Sequence, residues 1–285
     1  MDFLLSNIFF GVIHGGLIAL AGVGLSLQYR IVNFINFAYG DFMTAGAFAA
    51  YVLSQFGLPL PMAVAGAVLF VALLGVAVNQ VVFRPLTRAG AMPLLVSSIG
   101  VAFVLRYLIR AVWGPDPRRY AVPIQRAFHW GPLWVTPLEL QLLGLSLLGM
   151  VGVHLLLRHT KLGKAMRACA DSLDLAQVSG ISTDRVIGHT WLLTSALAAL
   201  SGVMFGLAMQ FEPRMGFDLL LPIFAAIILG GIGNPYGAVL GALIIGISSE
   251  LTAAYWSSGY RNAVAFLVIG LLFFLRPQGL WGNRG

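Results

Sequence analysis

Apolar runs of about twenty residues recur along this chain and are separated by short polar segments. A helix of that length crosses the roughly 30 Å hydrocarbon core of a bilayer, because it rises about 1.5 Å per residue. The predicted spans are Ser6–Leu27, Phe37–Phe56, Pro61–Phe83, Met92–Trp113, Leu138–Leu157, Val186–Met209, Ala238–Trp256 and Ala263–Leu275. The pattern therefore predicts an all-α, polytopic integral membrane protein with a single transmembrane domain over residues 1–285.

One further apolar segment is too short to assign by the same rule. Leu219–Leu229 is apolar, but the chain then enters Gly230–Gly237, which contains four glycines, an asparagine and a proline. If Leu219–Gly233 crosses the membrane, the chain has nine spans. If this segment enters and leaves on one side, the count is eight and the last two spans invert. The sequence leaves both counts open.

Charged residues are concentrated in the stretch Arg158–Arg185, between two spans. Asp171 and Asp174 have the spacing of a helix N-cap and its N3 carboxylate, and Gly180 can follow the helix as a C′ residue. The apolar residues between Asp171 and Gly180 are Leu173, Leu175, Ala176 and Val178. The pattern favours a helix of roughly two turns outside the membrane. A solvated loop is the alternative.

The distribution of Lys and Arg predicts the orientation of the spans, because loops on the cytoplasmic side carry an excess of these residues. With the N-terminus outside and nine crossings, ten basic residues lie inside and five outside. Residues 159–185 are then cytoplasmic. The inner set is Arg30, Arg84, Arg88, Arg158, Lys161, Lys164, Arg167, Arg185, Arg276 and Arg284, and the outer set is Arg118, Arg119, Arg126, Arg214 and Arg261.

The composition supports a lipid environment. The chain is 59% hydrophobic and 9% charged, whereas soluble proteins have about 25% charged residues. Glycine is abundant, at 34 residues, and Gly11–Gly15, Gly202–Gly206 and Gly237–Gly241 have the spacing that lets membrane helices approach closely. The net charge of +7 follows from the basic residues at span ends, so no nucleic-acid partner is predicted.

No catalytic constellation is found in the sequence. It has no phosphate-binding loop of the form GxxxxGK[ST], no GxSxG motif, and no metal-ligand spacing among its five histidines. Its one cysteine, Cys169, cannot form an intramolecular disulfide. We therefore expect neither an enzyme nor a bound metal or cofactor.

Two interrupted segments are candidates for a translocation path. Asn33 and Asn36 are spaced to share a helical face, and Asp41 lies in an apolar run where an unpaired carboxylate costs several kcal/mol. The second segment is a helix break formed by Gly230, Gly231, Gly233, Asn234, Pro235 and Gly237. Transporters use such breaks at ligand sites. Plain interfacial turns explain both segments equally well.

Other polar residues within spans extend this candidate set. Asn79 and Glu250 join Asn33, Asn36 and Asp41 as predicted path residues. For Glu250 an ion pair between helices is the simpler account. Arg106 and Arg110 lie four residues apart, and for them we expect snorkelling to the interface rather than a ligand role.

Three segments resemble one known family. NFINFAYGDFMTAGAFAAY, KLGKAMRACADSLDLAQVSGI and ILGGIGNPYGAVLGALIIGISSE are similar to the permease subunits of bacterial branched-chain amino acid ABC importers, of the LivH type. The resemblance runs from Asn7 to Gln278, with the segments in matching order and spacing. Permeases for urea and short amides are closely similar, so these substrates remain alternatives.

The resemblance implies partners and a coupling device. The family forms a transmembrane core in the bacterial inner membrane with a sister permease of the LivM type, two cytoplasmic ATPases that hydrolyse ATP, and a periplasmic amino-acid-binding protein. A cytoplasmic coupling helix docks on the ATPase. That loop corresponds to Lys161–Ile181, and Ala176, Gly180 and Ile181 match the family's Ala-x-x-x-Gly-Ile core. Asp171 and Asp174 are then the helix-capping residues, and Cys169–Asp171 departs from the family pattern.

A self-sufficient secondary transporter is the competing hypothesis from another class. Asp41 and Glu250 would then be ion-coupling groups.

Overall fold

The computed structural model describes residues 2–123, 125–130, 133–275 and 280–281. Most of these residues are helical, which confirms the predicted class. The helices are α1 Asp2–Val32, α2 Tyr39–Gln55, α3 Leu60–Val78, α4 Arg84–Leu86, α5 Ala91–Trp113, α6 Pro137–His159, α7 Lys161–Asp171, α8 Leu173–Val178, α9 Thr183–Ala208, α10 Met215–Gly230, α11 Pro235–Tyr255 and α12 Arg261–Leu275. A π-helical segment, Asn79–Phe83, joins α3 to α4.

The long connection between α5 and α6 contains the two strands found within the described ranges. β1 (Phe128–Trp130) pairs antiparallel with β2 (Leu133–Val135), with Phe128 opposite Val135. Thr136 then caps α6, because its hydroxyl accepts a hydrogen bond from the Glu139 amide while the Glu139 carboxylate accepts one from the Thr136 amide.

Within the described ranges, six helical segments are long and apolar enough to cross a bilayer. They are Phe3–Val32, Leu60–Ala89, Ala91–Trp113, Pro137–His159, Thr183–Ala208 and Pro235–Tyr255. The helices α2, α10 and α12 are shorter, at 17, 16 and 15 residues. Each of the eight predicted spans overlaps one long helix of the structure, although several bounds move by a few residues. The chain is a multi-pass membrane protein.

The helices run between two ends of the bundle, which we name after one residue at each. At the Arg30 end, Arg30 lies 3.8 Å from the Asp171 carboxylate, and Arg84 donates to Asp184 at 2.6 Å. At the Arg118 end, the amide of Arg118 donates to the carbonyl of Phe211 at 2.8 Å. Basic loops that the sequence assigned to one side therefore meet at one end of the fold.

The direction of α10 bears on the open count of spans. The segment just before α10 lies at the Arg118 end, where the Phe211 amide donates to the Arg118 carbonyl at 2.9 Å. The turn that follows α10 lies at the Arg30 end, where a Cβ added at Gly233 would be 3.7 Å from the Arg30 Cβ. The 16-residue helix, about 24 Å long at about 1.5 Å per residue, runs from one end towards the other. Nine passes are therefore favoured over eight for the described helices.

Small residues let the central helices approach closely. A Cβ added at Gly11 would lie 2.6 Å from the Ile247 Cα, and one at Gly15 would lie 3.0 Å from the Leu243 Cα. Both contacts join α1 to α11, and they lie at a glycine pair whose spacing predicted a close helix approach. Gly46 makes the same kind of contact between α2 and α9, with its added Cβ 2.5 Å from the Ala199 Cα.

Burial separates central from peripheral helices. The apolar windows of α1 and α9 are 72% and 67% buried, whereas those of α5 and α6 are 22% buried. The peripheral helices expose large apolar side chains, including Leu69, Phe70, Val104 and Leu148. Such surfaces suit lipid or a second membrane subunit rather than water.

We predict that Gly46→Val destabilises the protein strongly. The new side chain would meet the backbone of α9, which cannot move aside without separating α2 from α9. We expect a loss of about 3 kcal/mol, typical of severe overpacking. Thermal unfolding of the purified protein in detergent would measure it.

Gly100→Val is the matched control, because a Cβ at Gly100 meets nothing within 4 Å. Equal unfolding midpoints for the two variants would contradict the close α2–α9 contact.

Candidate functional site

The polar stretch between α6 and α9 forms two helices rather than one. Thr160 caps α7, and its hydroxyl accepts a hydrogen bond from the Gly163 amide at 2.9 Å. Gly163, Met166 and Cys169 recur every three residues along α7 and are buried against the bundle. α7 was not predicted, although the Thr160 cap and this period of three are present in the sequence.

The helix α8 begins one residue later than the sequence suggested. Ser172 is the N-cap, with extended backbone angles (φ −161, ψ 120), and its hydroxyl accepts from the Leu175 amide at 3.3 Å. The prediction of Asp171 as N-cap was wrong, because Asp171 ends α7 and its carboxylate faces Arg30 at 3.8 Å. Asp174 is in the first turn of α8, where a carboxylate is favourable for the helix dipole.

The C-terminal end of α8 is fixed by Gly180, as predicted. Its φ of +84 is in the left-handed region that favours glycine. The Gly180 amide donates to the Gln177 carbonyl and the Ile181 amide to the Ala176 carbonyl, both at 3.0 Å. This is the Schellman pattern, which satisfies the free carbonyls at a helix end. Both ends of α8 are therefore closed by local hydrogen bonds.

The outer edge of α8 is apolar and exposed. Leu175 and Val178 are 71% and 88% exposed, whereas Ala176 on the inner edge is 3% exposed. Such residues gain nothing by facing water, so an exposed apolar edge on a capped helix is typical of a surface that a partner covers. The five predicted coupling residues thus fall into two groups by their position relative to α8. Ala176, Gly180 and Ile181 shape the helix and its end, and Asp171 and Asp174 lie at its start.

The segment between α1 and α2 is not helical, contrary to the expected shared face of Asn33 and Asn36. Asn33 has a left-handed φ of 56 and ends α1, with its amide donating to the Tyr29 carbonyl at 2.8 Å. Asn36 is fully buried. Its side chain donates to Gln28 Oε1 at 3.3 Å and accepts from the Ala38 amide at 3.0 Å, so it fastens the connection to α1.

Asp41 is paired inside the protein. Arg106 donates to both of its carboxylate oxygens, at 3.0 Å from Nε and 2.9 Å from a terminal guanidinium nitrogen. The Asp41 side chain is completely buried and that of Arg106 is 14% exposed. The guanidinium also lies 4.5 Å from the centre of the Phe217 ring. The snorkelling expected of Arg106 is therefore wrong, because a bidentate partner holds it at depth.

A cavity of about 510 Å³ opens beside this ion pair, between α5 and the start of α10. Its polar lining includes Arg110 and Glu212, whose side chains have no hydrogen-bond or ion-pair partner among the described residues. Arg214, in contrast, pairs with Asp218 at 3.2 Å. We call this cavity the Arg110–Glu212 vestibule. It is lined by Arg106, Tyr107, Arg110, Pro115, Glu212, Pro213, Arg214 and Phe217.

Glu250 is also ion-paired. Arg261 donates to it at 3.1 Å, and His14 Nδ1 lies 3.5 Å from its other oxygen. The simpler account from the sequence, an ion pair between helices, is confirmed. Asn79 is 6% exposed and begins the π-helical segment inside the protein.

The glycine-rich segment after α10 is a tight turn at the Arg30 end. Gly231 and Gly233 have φ of 103 and 82, which only glycine adopts readily. Asn234 then caps α11, accepting from the amides of Tyr236 and Gly237 at 3.1 and 3.3 Å, with Pro235 as the first helical residue. Gly230 and Gly237 pack backbone against backbone. This geometry fits the turn interpretation rather than a helix broken in mid-bundle.

Comparison with known proteins gives concordant findings. The family described as "Branched-chain amino acid transport system / permease component" matches residues 7–276. The high-affinity branched-chain amino acid transport system permease protein LivH of Escherichia coli K12 is 30% identical over 301 residues, covering 99% of this chain and 96% of that protein. The corresponding permease protein BraD of Pseudomonas aeruginosa is 30% identical over 292 residues, covering 96% and 94%.

One solved structure is similar in fold. PsaBC from Streptococcus pneumoniae, in complex with Fab, aligns with a TM-score of 0.54 over 98% of this chain and 93% of that chain, at 13% identity. At this identity the likeness concerns the fold alone.

We predict that Arg106→Leu lowers stability more than an ordinary substitution does. It would leave the Asp41 carboxylate buried without a partner, which costs about 3–5 kcal/mol. Adding Asp41→Leu to the same chain should recover part of that loss, because no charge then stays buried. Thermal unfolding of the two single variants and the double variant would measure the coupling.

Arg110→Leu is the control, because the Arg110 side chain is exposed and has no partner among the described residues, so we expect a change within about 0.5 kcal/mol. Additive losses for Asp41→Leu and Arg106→Leu would contradict the pairing.

Proposed function

This chain belongs to the permease family of branched-chain amino acid transport systems, and we propose that it is the membrane-spanning subunit of an ATP-driven importer for these amino acids. In this proposal it acts as a single transmembrane domain, does not hydrolyse ATP, and assembles with a sister permease, two cytoplasmic ATPases and a periplasmic amino-acid-binding protein. The observation that carries the proposal is α8, a capped helix with an exposed apolar edge.

The geometry around α8 supports a mechanical role. Local hydrogen bonds close both of its ends, so the helix can move as one body. The buried side of α7 packs against α6, α9 and the end of α1. A push on Leu175 and Val178 by an ATPase would therefore reach α1, α6 and α9. Closure of the ATPases would tilt these helices and open the path alternately to either side.

We propose that the substrate passes through the Arg110–Glu212 vestibule. A charged side chain facing hydrocarbon is costly, so an unpaired guanidinium and an unpaired carboxylate on the same cavity indicate water there. The two charges also complement a zwitterion, whose carboxylate and ammonium need opposite partners. Tyr107 and Phe217 offer apolar rings for its side chain.

The predicted path residues enter this proposal differently. Asp41 contributes by holding Arg106 at the base of the vestibule. Asn33, Asn36, Asn79 and Glu250 lie outside its lining, and we propose that they shape the helices around the path. The turn at Gly230–Gly237, predicted as a helix break, has the same supporting role at the opposite end.

We further propose that the Arg30 end faces the cytoplasm of a bacterium and the N-terminus faces the periplasm. The excess of Lys and Arg in the loops that meet at the Arg30 end supports this orientation. The secondary-transporter hypothesis gains no support, because Asp41 and Glu250, its proposed ion-coupling carboxylates, are both engaged by arginines.

We predict that Leu175→Glu combined with Val178→Glu abolishes ATPase docking and uptake while the permease stays folded. The two carboxylates would have to be buried against the ATPase without partners, which opposes binding. Co-purification with the cognate ATPases and uptake of leucine by cells would measure the loss.

Phe56→Glu is the control, because Phe56 is 81% exposed in the α2–α3 connection, away from α8. ATPase recovery at wild-type levels in the α8 variant would rule out α8 as the docking element.

We predict that Tyr107→Cys reacts with a charged, membrane-impermeant thiol reagent applied outside intact cells, and that leucine slows the reaction. Tyr107 is 57% exposed on the vestibule, so its replacement would contact water and compete with substrate. The native Cys169 gives little background, because it is 3% exposed and burial raises the pKa of its thiol.

Two control variants show whether the labelled thiol faces water, lipid or the cytoplasm. Leu148→Cys, 69% exposed on the apolar face of α6, should stay unlabelled, and Lys164→Cys on α7 should react only after the membrane is permeabilised. If Tyr107→Cys behaves like Leu148→Cys, the vestibule is not a water-filled path.

A further inference from the structure

A second cavity, of about 290 Å³, lies at the Arg30 end, and it shares no lining residue with the vestibule or with α8. Three arginines line it: Arg30 from α1, Arg158 from α6 and Arg167 from α7. His154 and Tyr236 complete its polar lining, joined by a 2.9 Å hydrogen bond. We call this cavity the arginine pocket.

The positive charge of the arginine pocket is poorly compensated. Asp171 is the acidic residue paired with Arg30, at a long 3.8 Å, and its side chain is 78% exposed, so the pair contributes little. Within the described ranges the side chains of Arg158 and Arg167 have no ion-pair or hydrogen-bond partner. Helix dipoles favour a cation at the last turn of α1 or α6, but they do not explain Arg167 or the convergence of all three.

The remaining wall of the arginine pocket is apolar, formed by Leu27, Ile31, Leu157 and Met166. An exposed apolar strip on α6 leads directly to it. Leu148, Val151 and Leu155 are 69%, 52% and 50% exposed, and with Arg158 they follow at spacings of three, four and three, which places them on one helical face. The strip has the length and character of a surface for an acyl chain, and it ends at a guanidinium.

We propose that the arginine pocket binds the phosphate group of an anionic phospholipid, whose acyl chains lie along the α6 strip. Guanidinium groups match phosphate oxygens in geometry and charge. Basic pockets between membrane helices on the cytoplasmic side are suited to such head groups. Because the pocket joins α1 and α6 to α7, a bound lipid stabilises the junction between the bundle and the α7–α8 pair. The inference does not depend on which solute is carried.

The test uses the purified full chain in an uncharged detergent, with phosphatidylglycerol, phosphatidylcholine or inorganic phosphate as probes. Native mass spectrometry measures the bound fraction, and thermal unfolding measures stabilisation. We expect binding and stabilisation by phosphatidylglycerol and none by phosphatidylcholine. Arg158→Gln combined with Arg167→Gln should weaken phosphatidylglycerol binding by roughly 30-fold, from about 1 kcal/mol per charge.

Lys161→Gln combined with Lys164→Gln is the matched control. It removes two charges from the exposed side of α7, outside the pocket, and should leave binding unchanged. Without lipid, both double variants should unfold at the wild-type midpoint, which shows that they fold. Equal losses in the two double variants would overturn the pocket as the site. Equal stabilisation by inorganic phosphate would overturn the lipid as its ligand.

Discussion

The bidentate ion pair between Asp41 and Arg106 is the constraint around which this bundle is arranged. A carboxylate buried this deeply requires a partner, and Arg106 is the partner that reaches it. The pair fixes the rotation of α2 about its axis and turns one face of α5 towards protein. The ring of Phe217 against the guanidinium adds α10 to the same junction. The vestibule is open beside these three helices because the pair anchors their meeting point.

Close backbone contact is the second constraint, and it explains the abundance of glycine. Helices in lipid gain little from apolar burial against one another, so they gain from approach at small residues. The contacts of Gly11 and Gly15 with α11, and of Gly46 with α9, occur where the central helices cross. The peripheral helices α5 and α6 are less buried, and their apolar faces point outward. The bundle thus has a closely packed centre and a periphery suited to lipid and to a second subunit.

The two ends of the molecule have different chemistry, and this difference organises its proposed function. The Arg30 end carries α7, α8 and the arginine pocket, where soluble ATPases and lipid head groups would make contact. The Arg118 end carries the vestibule with its opposite, unpaired charges. Work delivered at one end can change access at the other only through the long central helices that connect them. α9 is such an element, because it follows α8 directly and packs on α2.

The sequence by itself determined the class, the spans and the family. Apolar runs and glycine spacing are local properties, so they predicted the helices and marked Gly11 and Gly15 as points of close approach, whereas the partner helix α11 is known only from the structure. Gly180 was also found from the sequence, because a C′ glycine is a local requirement. The N-cap of α8 was predicted one residue too early, at Asp171 instead of Ser172. Both side chains can cap a helix, and only the backbone angles of Ser172 show which residue does so.

Tertiary structure decided which polar groups meet. Arg106 is 65 residues from Asp41 in sequence, and nothing local to either residue indicates the other. For the same reason, Arg110 and Glu212 line one vestibule only because α5 and the start of α10 pack together. Arg30, Arg158 and Arg167 likewise line one pocket only because α1, α6 and α7 pack together. Helix formation depends on neighbours in the chain, whereas the pairing of charges depends on packing, which brings together residues that the sequence keeps apart.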